Sequence, residues 1–291
     1  MVKAPYLRIM KRILLVSMCW LNCSFGAIPK WMTPIADLDT MQVKGTVQSI
    51  SQRVYEVRKR GETLKKRYLM LDPLENWDLQ FNKKGFIVEK KCYDAANGVL
   101  FYYDYKYKKQ NQLQRRNMYD QRGYRIEQLV YAYNALGQIA AESTYRSDNS
   151  LLVRYVHTYG AKSKLIQTDV HAPTNVYTTS KYEFVYNKKG QLTERHTYNQ
   201  KHQRQQTDAY IYDENGFSKE HIITNHLDKF VFTSYTRYDT QGNIITFQEP
   251  AETQPLTSYT YTFDTIGNWT RRIHYKDGKA VDMVERVFVY E

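Results

Sequence analysis

The strongest constraint on this chain is a five-residue word that returns about every 26 residues. Its copies begin at Phe81, Tyr107, Tyr133, Tyr159, Tyr186, Tyr212, Tyr238 and Phe263, at intervals of 26, 26, 26, 27, 26, 26 and 25 residues. Three of them read Tyr186-Asn187-Lys188-Lys189-Gly190, Tyr212-Asp213-Glu214-Asn215-Gly216 and Tyr238-Asp239-Thr240-Gln241-Gly242. A register held this long marks a repeat architecture in which neighbouring units stack. Gly61, 24 residues before Gly85, marks a degenerate first copy.

A second turn-like stretch lies midway through each unit, as at Tyr93-Asp94, Tyr119-Asp120, Tyr145-Arg146, Tyr198-Asn199 and Tyr275-Lys276. Each unit therefore reads strand, turn, strand, turn. Asp and Asn bond back to nearby backbone, and Gly or Asn accepts the positive φ of a tight hairpin. This assigns Asp94, Asp120, Asp213, Asp239 and Asp264 to turn capping, and Gly85, Gly137, Gly190, Gly216, Gly242 and Gly267 to the turns themselves.

Between turns the period is two. Tyr103, Tyr105 and Tyr107, then Tyr182, Phe184 and Tyr186, then Tyr259, Tyr261 and Phe263 fall on one face of their strands. Two residues after the Gly column stand Ile87, Leu113, Ile139, Leu165, Leu192, Ser218, Ile244 and Trp269, a nearly unbroken apolar column. No segment sustains a helical period. The fold expected is all-β, an antiparallel hairpin-repeat meander of about nine 26-residue units. Some 18 strands cannot stay flat, because strand twist curls wide sheets. A coiled strip or a closed barrel-like wrap follows, with the Tyr and Phe rows inward.

The composition agrees: 27 Tyr against 13 Gly and 7 Pro, with 42% apolar residues, is too aromatic for a disordered chain. The first 26 residues differ from the rest. Lys3, Arg8, Lys11 and Arg12 precede the apolar run 13–21, and Ser24-Phe25-Gly26 follows, the layout of an export signal cleaved before Ala27. Removal takes Cys19 and Cys23 and leaves Cys92, so no disulfide and no cysteine-based metal site is expected. It also lowers the formal charge from +12 by the four basic residues of the signal. Residues 27–44 read as an irregular lead or cap, and 45–291 as the repeat domain. No membrane-spanning stretch is expected after signal removal.

The Tyr-Asp-x-x-Gly word, with Tyr at alternate strand positions, resembles the YD repeats of the Rhs and wall-associated protein superfamily, especially short exported repeat proteins of Bacteroidetes-like bacteria. The resemblance spans roughly residues 45–291 in the repeat-counting sense. It implies a winding strip of antiparallel strands, exposure in the periplasm, at the cell surface or outside the cell, and carbohydrate binding.

The chain carries no hydrolase elbow, metalloprotease helix or phosphate-binding loop, so no catalytic residue, metal or cofactor is assigned. His221 and His226, five apart on a strand and turn, read as surface histidines. Binding is better supported. From Lys83 to Arg125 there are eleven Lys and Arg against Glu89, Asp94, Asp104 and Asp120. Lys90, Lys91, Lys106, Lys108, Lys109, Arg115 and Arg116, interleaved with Tyr102 and Tyr103, form the candidate surface for an anionic polysaccharide or an envelope protein. Export argues against nucleic acid as a physiological partner. The function expected is an exported, non-enzymatic repeat protein presenting an extended β-surface. The alternatives are a cell-surface enzyme acting on polysaccharide and an outer-membrane β-barrel. The last conflicts with Leu192-Thr193-Glu194-Arg195-His196-Thr197, which puts charge on both faces of a strand.

Overall fold

The computed structural model describes residues 37–60, 63–69, 75–108, 111–173, 179–249 and 256–291. The predicted signal peptide and most of the lead lie outside these. One short helix, α1 (Asp37–Thr40), precedes nineteen strands: β1 (Val47–Arg60), β2 (Thr63–Leu69), β3 (Trp77–Phe81), β4 (Ile87–Tyr93), β5 (Val99–Tyr107), β6 (Leu113–Asp120), β7 (Arg125–Tyr133), β8 (Ile139–Arg146), β9 (Leu151–Tyr159) and β10 (Leu165–His171). There follow β11 (Thr179–Tyr186), β12 (Leu192–Asn199), β13 (Arg204–Tyr212), β14 (Ser218–Asn225), β15 (Phe230–Tyr238), β16 (Ile244–Gln248), β17 (Thr257–Phe263), β18 (Trp269–Lys276) and β19 (Lys279–Tyr290).

Each strand except β2 pairs antiparallel with the next, and β19 returns to pair with β1 from Val47↔Tyr290 to Glu56↔Asp282, so the meander closes into a barrel. On its other side β1 meets β2 along Tyr55–Arg60 and β3 along Ser49–Gln52. Those two strands share one stave, which makes nineteen strands into an eighteen-position barrel. Closure pairs the two strands that would be the free edges of an open strip, β1 and β19.

The cross-strand register carries one set of side chains around the inner wall without a break. It runs from Ile50 and Leu79 through Lys90, Tyr103, Met118 and Glu127, and on the far side through Tyr182, Arg195, Asp208, Tyr210 and His221 to Arg272, Val284 and Arg286. The aromatic rows point inward. Two apolar clusters anchor the wall, one around Ile50, Trp77, Leu79, Phe101 and Tyr103, the other around Val153, Leu165, Tyr182 and Phe184.

The repeat word builds one rim. In the copies that carry Asp or Asn after the aromatic residue, its carbonyl accepts the N–H three residues on, as in Gly216 N to Asp213 O at 3.2 Å, and its carboxyl or amide oxygen accepts N–H groups of the turn, as in Phe217 N to Asp213 Oδ1 at 2.8 Å; Lys108 makes the backbone bond alone. Gly216 sits at φ +87° and Gly242 at +85°. This is a type I turn closed by a left-handed residue, whose bulge shows as a register shift beside each Tyr. The degenerate copy at 159–163 differs: Gly160 is extended, and Lys162 and Ser163 take the positive φ instead.

The Tyr column staples neighbouring units. The hydroxyls of Tyr107, Tyr133, Tyr159, Tyr212 and Tyr238 donate to the carbonyls of Ile87, Leu113, Ile139, Leu192 and Ser218 at 2.6–3.0 Å, in every case twenty residues back. The acceptors are the apolar column read from the sequence. Tyr186 opens the copy that follows the 27-residue interval, and its buried hydroxyl has no partner. At the same rim, Lys164 Nζ reaches the carbonyl of Gly190 at 2.8 Å and Gln112 Nε2 that of Gly137 at 3.5 Å. The segment 37–44 lies across this rim. Leu38 N bonds Gly85 O at 3.1 Å, and Lys44 exchanges hydrogen bonds with the Asn268 side chain at 2.7 and 2.9 Å.

Candidate functional site

Strand alternation divides the basic cluster between the two sides of the wall. Lys91, Tyr102, Lys106 and Arg115 are cross-strand partners on the outer face. Lys90, Tyr103 and Arg116 face inward. Lys108 stands at the rim, 5.7 Å from the centre of the Tyr133 ring, and Lys109 lies outside the described residues. Seven of the nine residues therefore fall into two sets, four outward and three inward, rather than on a single surface.

On the outer face Tyr102 stacks on Tyr119, ring centres 5.0 Å apart and planes 16° from parallel. Lys106 and Arg115 lie exposed beside the pair, and Tyr124, 70% exposed, extends from the adjoining turn. Lys91 pairs with Glu89 at 2.9 Å. Further around, the same outer face repeats a cation, tyrosine and carboxylate triplet. Arg53 lies over Tyr93, whose hydroxyl donates to Asp78 at 2.6 Å, and Lys181 lies over Tyr198, whose hydroxyl donates to Glu183 at 2.6 Å. The outer wall, among the described residues, carries Arg53, Asp78, Glu89, Lys91, Arg115, Lys181, Glu183 and Arg271 between exposed Val185, Ile211 and Val287, where a lipid-facing band would be consistently apolar. Among the described residues no helix is long and apolar enough to cross a membrane, which says nothing about strands.

The inner wall is polar and mostly paired. Arg116 meets Glu127 at 3.7 Å and lies over the Tyr103 ring at 5.0 Å. Burial pushes the Glu127 carboxyl up, and Arg116 opposes the shift. Asp208 accepts from His221 Nε2 at 2.9 Å and from Arg195 at 3.1 Å. Burial raises Asp208, but the His221 bond and the Arg195 charge together hold it below the ordinary carboxylate value. His221 thus belongs to the interior, stacked on Tyr210 at 4.8 Å, and corrects its reading as a surface histidine. Its place follows from the register, which puts it opposite inward Tyr210. Cys92 is fully buried, and burial pushes its thiol up to about 11, which leaves it protonated and unreactive at neutral pH.

A glycosidase needs two carboxyl groups about 5–9.5 Å apart. Glu56 and Asp282 are inward carboxylates that do face each other across β1 and β19, and Asp282 is engaged by His274 at 2.6 Å. Glu142 stands opposite Tyr131, four residues along the strand from Glu127, about 13 Å at strand rise. Glu127 has Arg116 at 3.7 Å, and Glu142 meets the His157 ring nitrogen Nε2 at 3.2 Å.

Sequence reasoning did not find a third cluster, near the word-built rim. Arg286 lies 3.7 Å over Trp269 and 5.6 Å from Trp77, and its Nε donates to Gln52 at 2.9 Å. Burial, with the charge of Arg272, pushes Arg286 down to about 9, still cationic at neutral pH. Arg272 lies 5.3 Å over Tyr259 and 5.9 Å from Trp269, and Lys90 is 5.9 Å from Trp77. Between this wall and the segment 37–44 is a cavity of about 340 Å³, lined by Met41, Phe263, Trp269, Arg286 and Phe288 among others. The signal for it was alternation: Trp269 shares a face with Phe263, and Trp77 with Leu79.

No family model matches the chain, and no curated protein matches it. Among solved structures it is similar to a porin-like protein from Bacteroides uniformis, at 12% identity and a TM-score of 0.44, over 84% of this chain and 98% of that one. It is also similar to a TcdB2-TccC3-Cdc42 structure, at 10% identity and a TM-score of 0.39, over 84% of this chain and 16% of the other. A third likeness is to the Photorhabdus luminescens Tc holotoxin pore, at 12% identity and a TM-score of 0.35, over 68% of this chain and 13% of that one. None of these likenesses assigns a role to any residue of the chain.

Proposed function

We propose that the protein is exported and acts without catalysis, as a closed YD-type repeat barrel whose outer face binds an anionic polysaccharide of the envelope or its surroundings. The observation that carries this reading is the outward Tyr102–Tyr119 stack bordered by Lys91, Lys106, Arg115 and exposed Tyr124. Flat aromatic faces take the apolar face of a sugar ring, and the flanking cations attract carboxylate or sulfate groups along a polymer. Export rests on the basic, apolar and small-residue succession of residues 1–26. The other half of the predicted cluster, Lys90, Tyr103 and Arg116, plays no part, because the wall separates it from the polymer.

The test is binding of polygalacturonate, with neutral dextran as the control, to the mature protein at low and high salt. Tyr102→Ala and Arg115→Ala should each weaken binding about tenfold, the arginine variant also flattening the salt dependence. Equal binding of both polymers, or unchanged affinity in both variants, would count against the reading.

A further inference from the structure

Other basic side chains of the inner wall have a carboxylate: Arg116 has Glu127 and Arg195 has Asp208, while the His221 and His274 rings bond Asp208 and Asp282. Lys90, Arg272 and Arg286 are the exceptions. Among the described residues none of the three makes an ion pair, and Arg272 Nε is buried with no hydrogen-bond partner. Yet they converge from β4, β18 and β19 on one pair of rings. Arg286 contacts both Trp77 and Trp269, Lys90 approaches Trp77 and Arg272 approaches Trp269. The inward carboxylates Glu56 and Asp282 face each other farther along β1 and β19, toward the opposite rim, and Asp282 is engaged by His274 at 2.6 Å. Arg272 and Arg286 are half-buried with no carboxylate between them, a costly arrangement unless a ligand supplies the negative charge, and Arg286 lines the cavity. Burial pushes the Lys90 ammonium down from its ordinary value, and an anion beside it would oppose that shift.

We infer that this cluster is a binding site inside the barrel for an organic oxyanion, a carboxylate or sulfate carried on a ring of about monosaccharide size. Guanidinium groups present paired N–H donors that match the two oxygens of such a group, and Arg272 has a free donor to offer. Phe263, Phe288 and Trp269 supply apolar walls for the ring. The adjoining volume of about 340 Å³ lies at the lower end of the roughly 300–1,000 Å³ typical of small-molecule sites. The segment 41–44 lines the cavity at the rim, so it borders the path by which a ligand enters. This site is separate from the outer patch, which lies on the other side of the wall.

The experiment uses D-glucuronate, inorganic sulfate and D-glucose as probes of the mature protein, read by thermal melting and by the fluorescence of Trp77 and Trp269. At about 10 mM, glucuronate should raise the melting temperature by about 2–5 °C and change the indole emission, while glucose does neither. A response to sulfate as well means the oxyanion alone suffices, and a response to glucuronate only means the ring contributes. Arg272→Gln and Lys90→Met should melt at or above the parent without ligand, since each removes an uncompensated charge, and should lose the glucuronate response. The proposal falls if the parent does not respond, if glucose gives the same response, or if the response survives in both variants. It falls equally if neither variant keeps the parent circular dichroism, because the charges would then be structural.

Discussion

The two rims of the barrel use the same turn and differ in what lies beyond it. At both rims an Asx residue caps a type I turn closed by a left-handed residue: Gly85, Gly137 or Gly216 at the word-built rim, and Asn97, Gly123 or His202 at the opposite one. At the word-built rim the preceding Tyr also reaches back twenty residues to the neighbouring hairpin, and the residue after the Gly reaches forward to the next turn. At the opposite rim the corresponding tyrosines, such as Tyr93 and Tyr198, turn outward and bond carboxylates at the surface. A contact confined to one turn constrains only that turn, whereas a contact between hairpins constrains the length of everything between. The 26-residue period is therefore the geometric condition for the staple, and the lengthened unit ending at Tyr186 is where the hydroxyl goes unpaired.

The largest effect should come from alkali, which acts on more residues at the word-built rim but also on Tyr93 at the opposite one, pushed up to about 12 by burial and by Asp78. Burial raises the column tyrosines Tyr107 and Tyr159, and pushes Tyr133, Tyr186 and Tyr212 up to about 12. A raised pKa in the folded state gives stability that is complete below the unfolded value of 10.0 and is lost as pH climbs toward 12. One unit on one group amounts to about 1.4 kcal/mol before discounting for partial exposure. Five such groups together should still match the roughly 5–15 kcal/mol stability of a domain. Tyrosine absorbance and circular dichroism should thus change together, cooperatively, between about pH 10 and 12. Smooth tyrosine ionisation with unchanged strand content would dissolve the distinction between the rims.

Next in size is the turn itself. Gly216→Val puts a β-branched residue at φ +87°, with Gln191 Nε2 only 3.4 Å from the new Cβ, and should cost about 1–3 kcal/mol. Gly216→Asn should be much milder, as Asn111 already holds the equivalent place at φ +59°. Chemical denaturation of the two variants beside the parent measures the difference.

The finest comparison lies within the Tyr column. Tyr212→Phe removes the bond to the Leu192 carbonyl and should cost about 0.5–1.5 kcal/mol. Tyr186→Phe removes a hydroxyl that has no partner and should be neutral or slightly stabilising. At the other rim Tyr198→Phe acts at the surface and should change stability by about 0.5 kcal/mol or less. Equal losses in all three variants would mean that the staple does not hold the units together.

Much of this was legible because the turns and strands are local. The Asp-x-x-Gly chemistry predicts the hairpins, and alternation of Tyr103, Tyr105 and Tyr107 predicts the inner face. The same alternation separates Lys90 from Lys91 and Arg115 from Arg116, which puts half the basic cluster on the wrong side of the wall for a polymer. Closure was one of two outcomes left open, because β1 lacks the repeat word and its pairing with β19 joins residues more than 220 apart. The charged indole cluster stayed hidden for the same reason: Lys90, Trp77, Trp269 and Arg286 are brought together only when the seam shuts.

Closure of that seam is the central claim, and a double spin label tests it directly. Ser51 and Val287 are cross-strand partners on the outer face of β1 and β19. Labels on Ser51→Cys and Val287→Cys, with Cys92 buried out of reach, report whether the ends of the meander meet. A closed barrel sets the two Cα atoms about 5 Å apart and the labels within about 25 Å of each other. An open strip of eighteen positions, spaced about 4.8 Å apart, would separate them by up to about 80 Å. A pulsed-resonance distance below about 25 Å is the result expected, and one of about 40 Å or more would contradict the closed barrel and the interior site built on it.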